Sequence, residues 1–358
     1  MTQIPAAAPA ASAAASPRPR LVAFGELLIR LAAPDKLLLR SARSLDLHVG
    51  GAEANVAIGL ASLGHSAAMV SRVPANALGQ MAVSALLGAG VDCTQVAATD
   101  EGRMGLYFLT PGAGLRASDI VYDRAESSFA RAGEADFDWD TALAGATHLH
   151  LSGITPALGI RSAEAVLGIA RAAKARGITL IFDGNYRARL WEAWDSDPRA
   201  ILTQLVGMAD ILFGNHRDIS LLLGETFHGD GADRRREAAL AGFAAFPNLK
   251  LIASTARHVE DADRHRIAAR IDTPTDCHQT PEIAISGIVD RIGGGDAFAA
   301  GVIHGLLGAQ DLAAADIIAA AQSGLALTAL KHSLPGDAAL FSQADIDAFL
   351  TGELDVRR

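Results

Sequence analysis

The sequence predicts an α/β fold in three layers, helices covering both faces of a mostly parallel sheet, with a small antiparallel β lid beside it. Three observations carry this. From His148 onward, short apolar runs alternate with helix-like stretches, the pattern of a parallel sheet covered on both faces. Half of the 358 residues are hydrophobic, ample for a large core. Two segments, residues 27–48 and 103–130, interrupt the alternation with β-like, turn-rich sequence.

The elements follow in order. Residues 1–20 are rich in Ala, Pro and Ser and read as a disordered tail. Arg18 and Arg20 follow its apolar stretch, and Pro5, Pro9 and Pro17 interrupt it, so it does not read as a secretory signal. Residues 21–25 read as a buried strand. Residues 52–63 read as a helix stopped by Gly64, 67–70 as a strand, and 76–87 as a helix ended by Gly88. Residues 106–109 and 120–122 read as antiparallel strands with the turn 111–114 between them. Strands follow at 148–151, 178–182, 211–213 and 249–253, with helices at 162–175 and 234–245. Two long helices close the pattern, near 295–307 and 312–330. The organisation is thus a main α/β body over 21–26, 49–102 and 131–358, with a lid formed by 27–48 and 103–130 inserted in it.

Charge and cysteine usage exclude some classes. The net charge of −9 offers no surface for nucleic acid or anionic membranes. Lys36, Lys174, Lys250 and Lys331 are the only lysines, so the positive charge is nearly all arginine. Cys93 and Cys277 stand alone, outside any ligand spacing, which predicts reduced thiols and a cytoplasmic protein. No uninterrupted apolar stretch is long enough to span a membrane.

The most informative stretch runs from Asp290 to Phe298, where Gly293, Gly294 and Gly295 lead into Asp296 and a small, apolar, helix-like run. Glycines before a helix start let backbone N–H groups turn inward at the positive end of the helix dipole, an anion site. Asp296 has the wrong charge to neutralise a phosphate but is placed to take a proton from an attacking hydroxyl. Phosphoryl transfer needs those two parts. A tight turn with a capping carboxylate uses the same residue types.

Four further groups stand out. Gly50 and Gly51 precede a helix that carries Asn55 one turn in, able to donate to and accept from a sugar hydroxyl or to serve the backbone. Asp183, Gly184, Asn185, Tyr186 and Arg187 follow a strand directly, where open α/β sheets bind ligands, and Arg187 offers a planar fork to a carboxylate or phosphate. Tyr122 and Arg124 project to one face of a strand, near Tyr107, which suits a small carboxylated sugar or a solvated edge strand. Asn215 and Asp218 follow the strand at 211–213 and read either as a Mg²⁺ site through water or as a helix cap with a first-turn acid. His148 and His150 share a strand face without a third ligand and read as core histidines. GxxxxGK[ST], a dinucleotide GxGxxG after the first strand, and GxSxG are all absent.

Taken together and in order, these pieces resemble the ribokinase-like (PfkB) carbohydrate kinases over about residues 21–350. The block from Gly50 to Asn55 is similar to that family's amino-terminal signature, and 290–300 to its carboxyl-terminal D-x-x-G-A-G-D-x-F, with Gly294 in place of the usual alanine. Within the family, the stretches 105–108, 121–124, 151–155, 183–187, 189–191 and 331–337 look most like 2-keto-3-deoxygluconate kinases. The resemblance implies a three-layer fold and ATP-dependent phosphorylation of a sugar acid with Mg²⁺. It implies Asp296 as base and Gly293, Gly294 and Gly295 as anion hole. Gly51, Asn55, Tyr107, Tyr122, Arg124 and Arg187 would contact the sugar acid, and Asn185, Asn215, Thr255 and Arg257 would lie near ATP. Many members carry a Lys-x-Gly after the strand at 249–253; here Ser254, Thr255, Ala256 and Arg257 stand instead, and Thr255 and Arg257 would substitute. A neutral sugar such as fructose or ribose would not need two arginines, which favours an acid, gluconate- or galactonate-derived. A silent sugar-binding regulator is the reading from another class. A dimer joined through the lids is also expected, since exposed sheet edges seek cover.

Overall fold

The computed structural model describes residues 20–307 and 312–353. The tail expected over residues 1–20 lies outside the described residues, apart from Arg20, which opens the first strand.

The element order is β1 (Arg20–Phe24), β2 (Leu28–Ala32), β3 (Asp46–Gly50), α1 (Ala52–Ser62), β4 (Ser66–Pro74), α2 (Ala77–Gly88), β5 (Asp92–Thr99), β6 (Gly105–Thr110), β7 (Asp119–Asp123), α3 (Trp139–Ala142), β8 (His148–Ser152), α4 (Ile160–Ala175) and β9 (Thr179–Asp183). It continues with α5 (Ala188–Trp191), α6 (Pro198–Val206), β10 (Ile211–Phe213), α7 (His216–Leu223), α8 (Ala232–Ala245), β11 (Leu251–Val259), β12 (Arg264–Asp272), β13 (Cys277–Gln279), β14 (Ile283–Ser286), α9 (Gly294–Leu306), α10 (Ala314–Lys331) and α11 (Gln343–Thr351).

The main sheet runs β13-β12-β11-β10-β9-β8-β1-β4-β5, with β14 also on β12. Every pair from β11 to β5 is parallel, and β12 to β14 extend it antiparallel. Period-two alternation divides the apolar residues between two cores. Leu21 and Ala23 of β1 face the core shared with α1, α2, α9 and α10, whereas Val22 and Phe24 face the core shared with α4, α6 and α8. The same split separates Ile211 and Phe213 from Leu212 in β10.

Several regions depart from the sequence reading, among them the strand β5 and the helices α6, α7 and α11, which it did not give. The strand expected at 249–253 continues to Val259, because β12 pairs with it along its whole outer half. β12 carries arginines at 264, 266 and 270, which hid its strand character. The lid forms from the two expected segments as a four-stranded sheet ordered β3-β2-β6-β7. Its outer pairs are antiparallel, while the central pair β2–β6, which joins the two segments, runs parallel. Both strands leave the main body from the same edge, one after β1 and one after β5, so they run the same way.

A buried ion cluster ties the lid to the body. Arg30 of β2, only 1% exposed, reaches Asp290 at 2.6 Å and Asp337 at 2.9 Å. Tyr107 of β6 donates its hydroxyl to Asp337 as well. Arg30→Met would leave two carboxylates facing each other out of water, and a buried pair broken from one side costs about 3–5 kcal/mol. Urea denaturation is expected to show a loss of that size. A loss below about 1 kcal/mol, the level of a solvated pair, would contradict the burial argument.

Candidate active site

The carboxyl ends of β1, β8, β9 and β10 share one edge of the sheet, and α9 begins beside them. Gly293, the residue before α9, has φ of 76°, in the left-handed region, and a Cβ there would meet the backbone oxygen of Asp337 at 1.7 Å. Only glycine fits that turn. Asp290 shapes the loop, accepting from the amides of Ile292 at 2.9 Å and Gly336 at 3.1 Å. Thr328 fastens the first helical residue by donating its hydroxyl to the Gly294 carbonyl at 2.7 Å. The amide of Gly294 makes only a long 3.4 Å bond to Arg291, and those of Gly293, Gly295 and Asp296 donate to no acceptor among the described residues. Amides gathered at a helix N-terminus form an anion site.

Carboxylates crowd the same spot. Asn55 of α1, itself 4% exposed, donates from Nδ2 to Asp296 Oδ2 at 2.6 Å. Burial pushes Asp296 up to about 7; the Asn55 bond opposes this, and the charges of Asp337 and Glu53 add to it. Asp183, at the end of β9, is pushed up to about 8 by burial and by the charges of Asp296 and Asp218. Burial also raises Asp218. The exposed Arg187 is the cation that acts on all three. Glu53, buried beside Gly25, accepts the hydroxyls of Ser152 at 2.7 Å and Thr155 at 2.6 Å.

The other sequence-predicted residues take definite places. Gly51 precedes α1 with φ of 147°, so close to Glu26 that a Cβ would lie 2.3 Å from its carbonyl oxygen. Asn55 turns its donor to Asp296 and leaves its buried Oδ1 without a partner. Tyr107 and Tyr122 face each other across β6 and β7, ring centroids 6.0 Å apart, but the Tyr107 hydroxyl is taken by Asp337. Arg124 lies 5.8 Å from the Tyr122 ring centroid. It is buried and paired with Glu26, Nε to Oε2 at 2.8 Å, which leaves its Nη1 without a partner. Asn185 adopts a left-handed φ of 36° and donates its amide to Asp183 at 3.0 Å.

Asn215 and Asp218 take the capping arrangement at the start of α7. Asn215 Oδ1 accepts from the Arg217 amide, and the Asn215 amide donates to Asp218 Oδ2, both at 2.8 Å. Asp218 Oδ1 faces Gly184, next to Asp183. Thr255 and Arg257 lie two apart on β11 and share a face of it. Among the described residues, no three His, Cys, Asp or Glu side chains gather as a metal site. His148 pairs with Thr147 at 2.8 Å, and burial pushes His150 down to about 3, so both belong to the core.

Sequence reasoning missed Glu26, Arg30, Glu53 and Asp337. Glu53 and Asp337 stand inside stretches already singled out, and an acid at a predicted buried position is the signal that could have marked them. Arg30 and Glu26 have no local signal, because their partners lie far away in sequence.

The sequence model of one family, described as pfkB family carbohydrate kinase, matches residues 18–337. A Haloferax volcanii protein named 2-dehydro-3-deoxygalactonokinase is 32% identical over 93% of this chain and 96% of its own. A Thermotoga maritima crystal structure of a 2-dehydro-3-deoxygluconokinase is 34% identical, with a TM-score of 0.87 over 94% of this chain and all of its own. A Listeria grayi PfkB family carbohydrate kinase is 37% identical, with a TM-score of 0.84 over 93% of this chain and 99% of its own. Among the described residues no helix is long and apolar enough to cross a membrane.

The raised Asp296 has a thermodynamic signature. Its folded value, about 7, exceeds the unfolded one, so its protonated form favours folding. Stability is fully present below about pH 4, the ordinary carboxylate value, and is lost as pH rises through about 7. Asp296→Asn removes the charge and keeps an acceptor for Asn55. The variant is expected to melt above the wild type at pH 8 and to gain little at pH 4. Equal melting temperatures at both pH values would mean an ordinary, solvated carboxylate.

Proposed function

The chain belongs to the pfkB family of carbohydrate kinases, and on that premise we propose that it transfers the γ-phosphoryl group of ATP to the terminal hydroxyl of 2-keto-3-deoxy-D-gluconate, giving the 6-phosphate. One observation carries the reading: a carboxyl raised to about 7 beside the amides of Gly293 and Gly295, which have no protein acceptor. Asp296 takes the hydroxyl proton as its oxygen attacks phosphorus, and the bond to the leaving oxygen of ADP breaks. The amides of Gly293, Gly294 and Gly295 meet the charge on the transferring group. A base near 7 is about half ionised at neutral pH and still basic enough to accept the proton.

Arg187 is exposed and close in charge to this centre, which suits the acid end of the sugar; the Nη1 of Arg124 can add a second contact from the lid. Gly51, Asn55, Tyr107 and Tyr122 complete the sugar side, and Asn185, Asn215, Thr255 and Arg257 the nucleotide side. Mg²⁺ fits the excess of carboxylates over cations here: Asp218, with one oxygen left by the cap, would meet it through water, and the ion would neutralise the phosphate chain. The lid, with Val121 exposed on β7, is the surface through which two copies would pair. The name of the Haloferax relative favours one second reading, the galactonate-derived epimer as substrate.

A coupled ADP-release assay over the two keto-deoxy acids, fructose and ribose decides the substrate. Turnover is expected on a keto-deoxy acid and not on the neutral sugars; preference for fructose or ribose would overturn the acid reading. Asp296→Ala is expected to lose about 10²–10⁴-fold in kcat while calorimetry still detects the sugar acid, and near-normal turnover would remove Asp296 as base. In the wild type, kcat is expected to fall as pH drops through about 7, and a flat profile from pH 5 to 8, a window set around that value, would do the same.

A further inference from the structure

Behind the anion hole lies a pair of histidines that this reaction leaves unused. His332 ends α10, and its Nδ1–H donates to the Thr328 carbonyl at 2.6 Å. That leaves Nε2 as an acceptor, and it has no partner although the residue is only 3% exposed. His265 of β12 is 1% exposed, and neither of its ring nitrogens has a partner. The rings meet edge to face, centroids 5.8 Å apart. A Cβ at Gly294 would lie 3.1 Å from His332 Cε1, so this imidazole is packed directly against the anion hole. Arg257 of β11 and Arg291 of the loop before α9 both act on both rings. Neither guanidinium group has an ion pair or hydrogen bond among the described residues.

Three orphaned ring nitrogens in the interior are costly unless something uses them. Two arginines beside them, Arg257 exposed and Arg291 half-buried, leave their guanidinium groups open to an anion, and the anion that belongs at these glycines is a phosphate chain. Resting on the kinase reading, we propose that His265 and His332 are positioning residues of the nucleotide site, and that the pair takes up a proton when a nucleotide's phosphates engage Arg257, Arg291 and the glycine amides. Without nucleotide, burial first and the two arginines next hold His265 down to about 4, with Asp261 opposing. His332 is lowered too, chiefly by burial, with Lys331 and the arginines adding and the Thr328 carbonyl opposing. A phosphate chain cancels the arginine repulsion and adds attraction, so the folded, liganded pair binds the proton more tightly. The added N–H and charge stand behind the amides, where they hold the phosphates. By linkage, nucleotide affinity then rises on acidification, opposite in sign to the loss of kcat through Asp296.

The test is calorimetric titration of the full chain with ADP at pH 7, in two buffers of different protonation enthalpy. ADP binds in its deprotonated form and by itself releases protons. Net proton uptake by the wild type is expected, and net release or no exchange would overturn the proposal. His332→Gln and His265→Gln should each abolish the uptake, and the KM for ATP should lose a fall of several-fold, at most about tenfold, per unit of acidification. Histidine-labelled wild type, followed by NMR, should show one positive charge gained by the His265–His332 pair on adding ADP; no change in either ring would also overturn it. If ADP does not bind at all, the kinase reading fails instead.

Discussion

The site turns on keeping one carboxylate ionisable where its surroundings resist charge. Asp296 sits at the positive end of α9, which favours its anion, yet burial and the negative charges of Asp337 and Glu53 disfavour it. The Asn55 bond, Arg187 and the helix terminus on one side, and burial and like charge on the other, leave it near neutrality. The amides of Gly293 and Gly295 beside it are donors without acceptors, and in the proposed reaction phosphoryl oxygens would accept from them.

That balance depends on parts far from it in sequence. Gly293 makes its turn against the backbone of Asp337, and the same Asp337 receives Arg30 and Tyr107 from two strands of the lid. Asp290 joins the Arg30 cluster while bonding the amide of Ile292, just before the glycines. The lid and the anion hole therefore share one set of buried charges, and the shape of one is set by the seating of the other.

Much of this was legible in the chain. Strands with apolar runs and helices ended by glycine stood within a few residues of their places, because period and punctuation are local signals. The run of glycines into Asp296 was legible for the same reason. β12 was hidden by its arginines, and β5, the outer strand of the sheet, by its small and polar residues. The parallel joining of β2 to β6 follows from where the chain leaves the sheet, which no local pattern carries. Pairings such as Arg124 with Glu26, or Arg30 with Asp290, bring together residues that sequence spacing keeps apart. Arg124 bonded to Glu26 and Asn55 bonded to Asp296 are contacts of the same kind, carried by no local pattern.

The most direct measurement is a crystal structure of the chain with ADP, aluminium fluoride and 2-keto-3-deoxygluconate. The expected result places the sugar's terminal oxygen within hydrogen-bond reach of Asp296, in line with the metal fluoride, whose ligands accept from the amides of Gly293, Gly294 and Gly295. A fluoride bound elsewhere, or an Asp296 carboxylate turned away from the sugar with those amides left idle, would contradict the central claim.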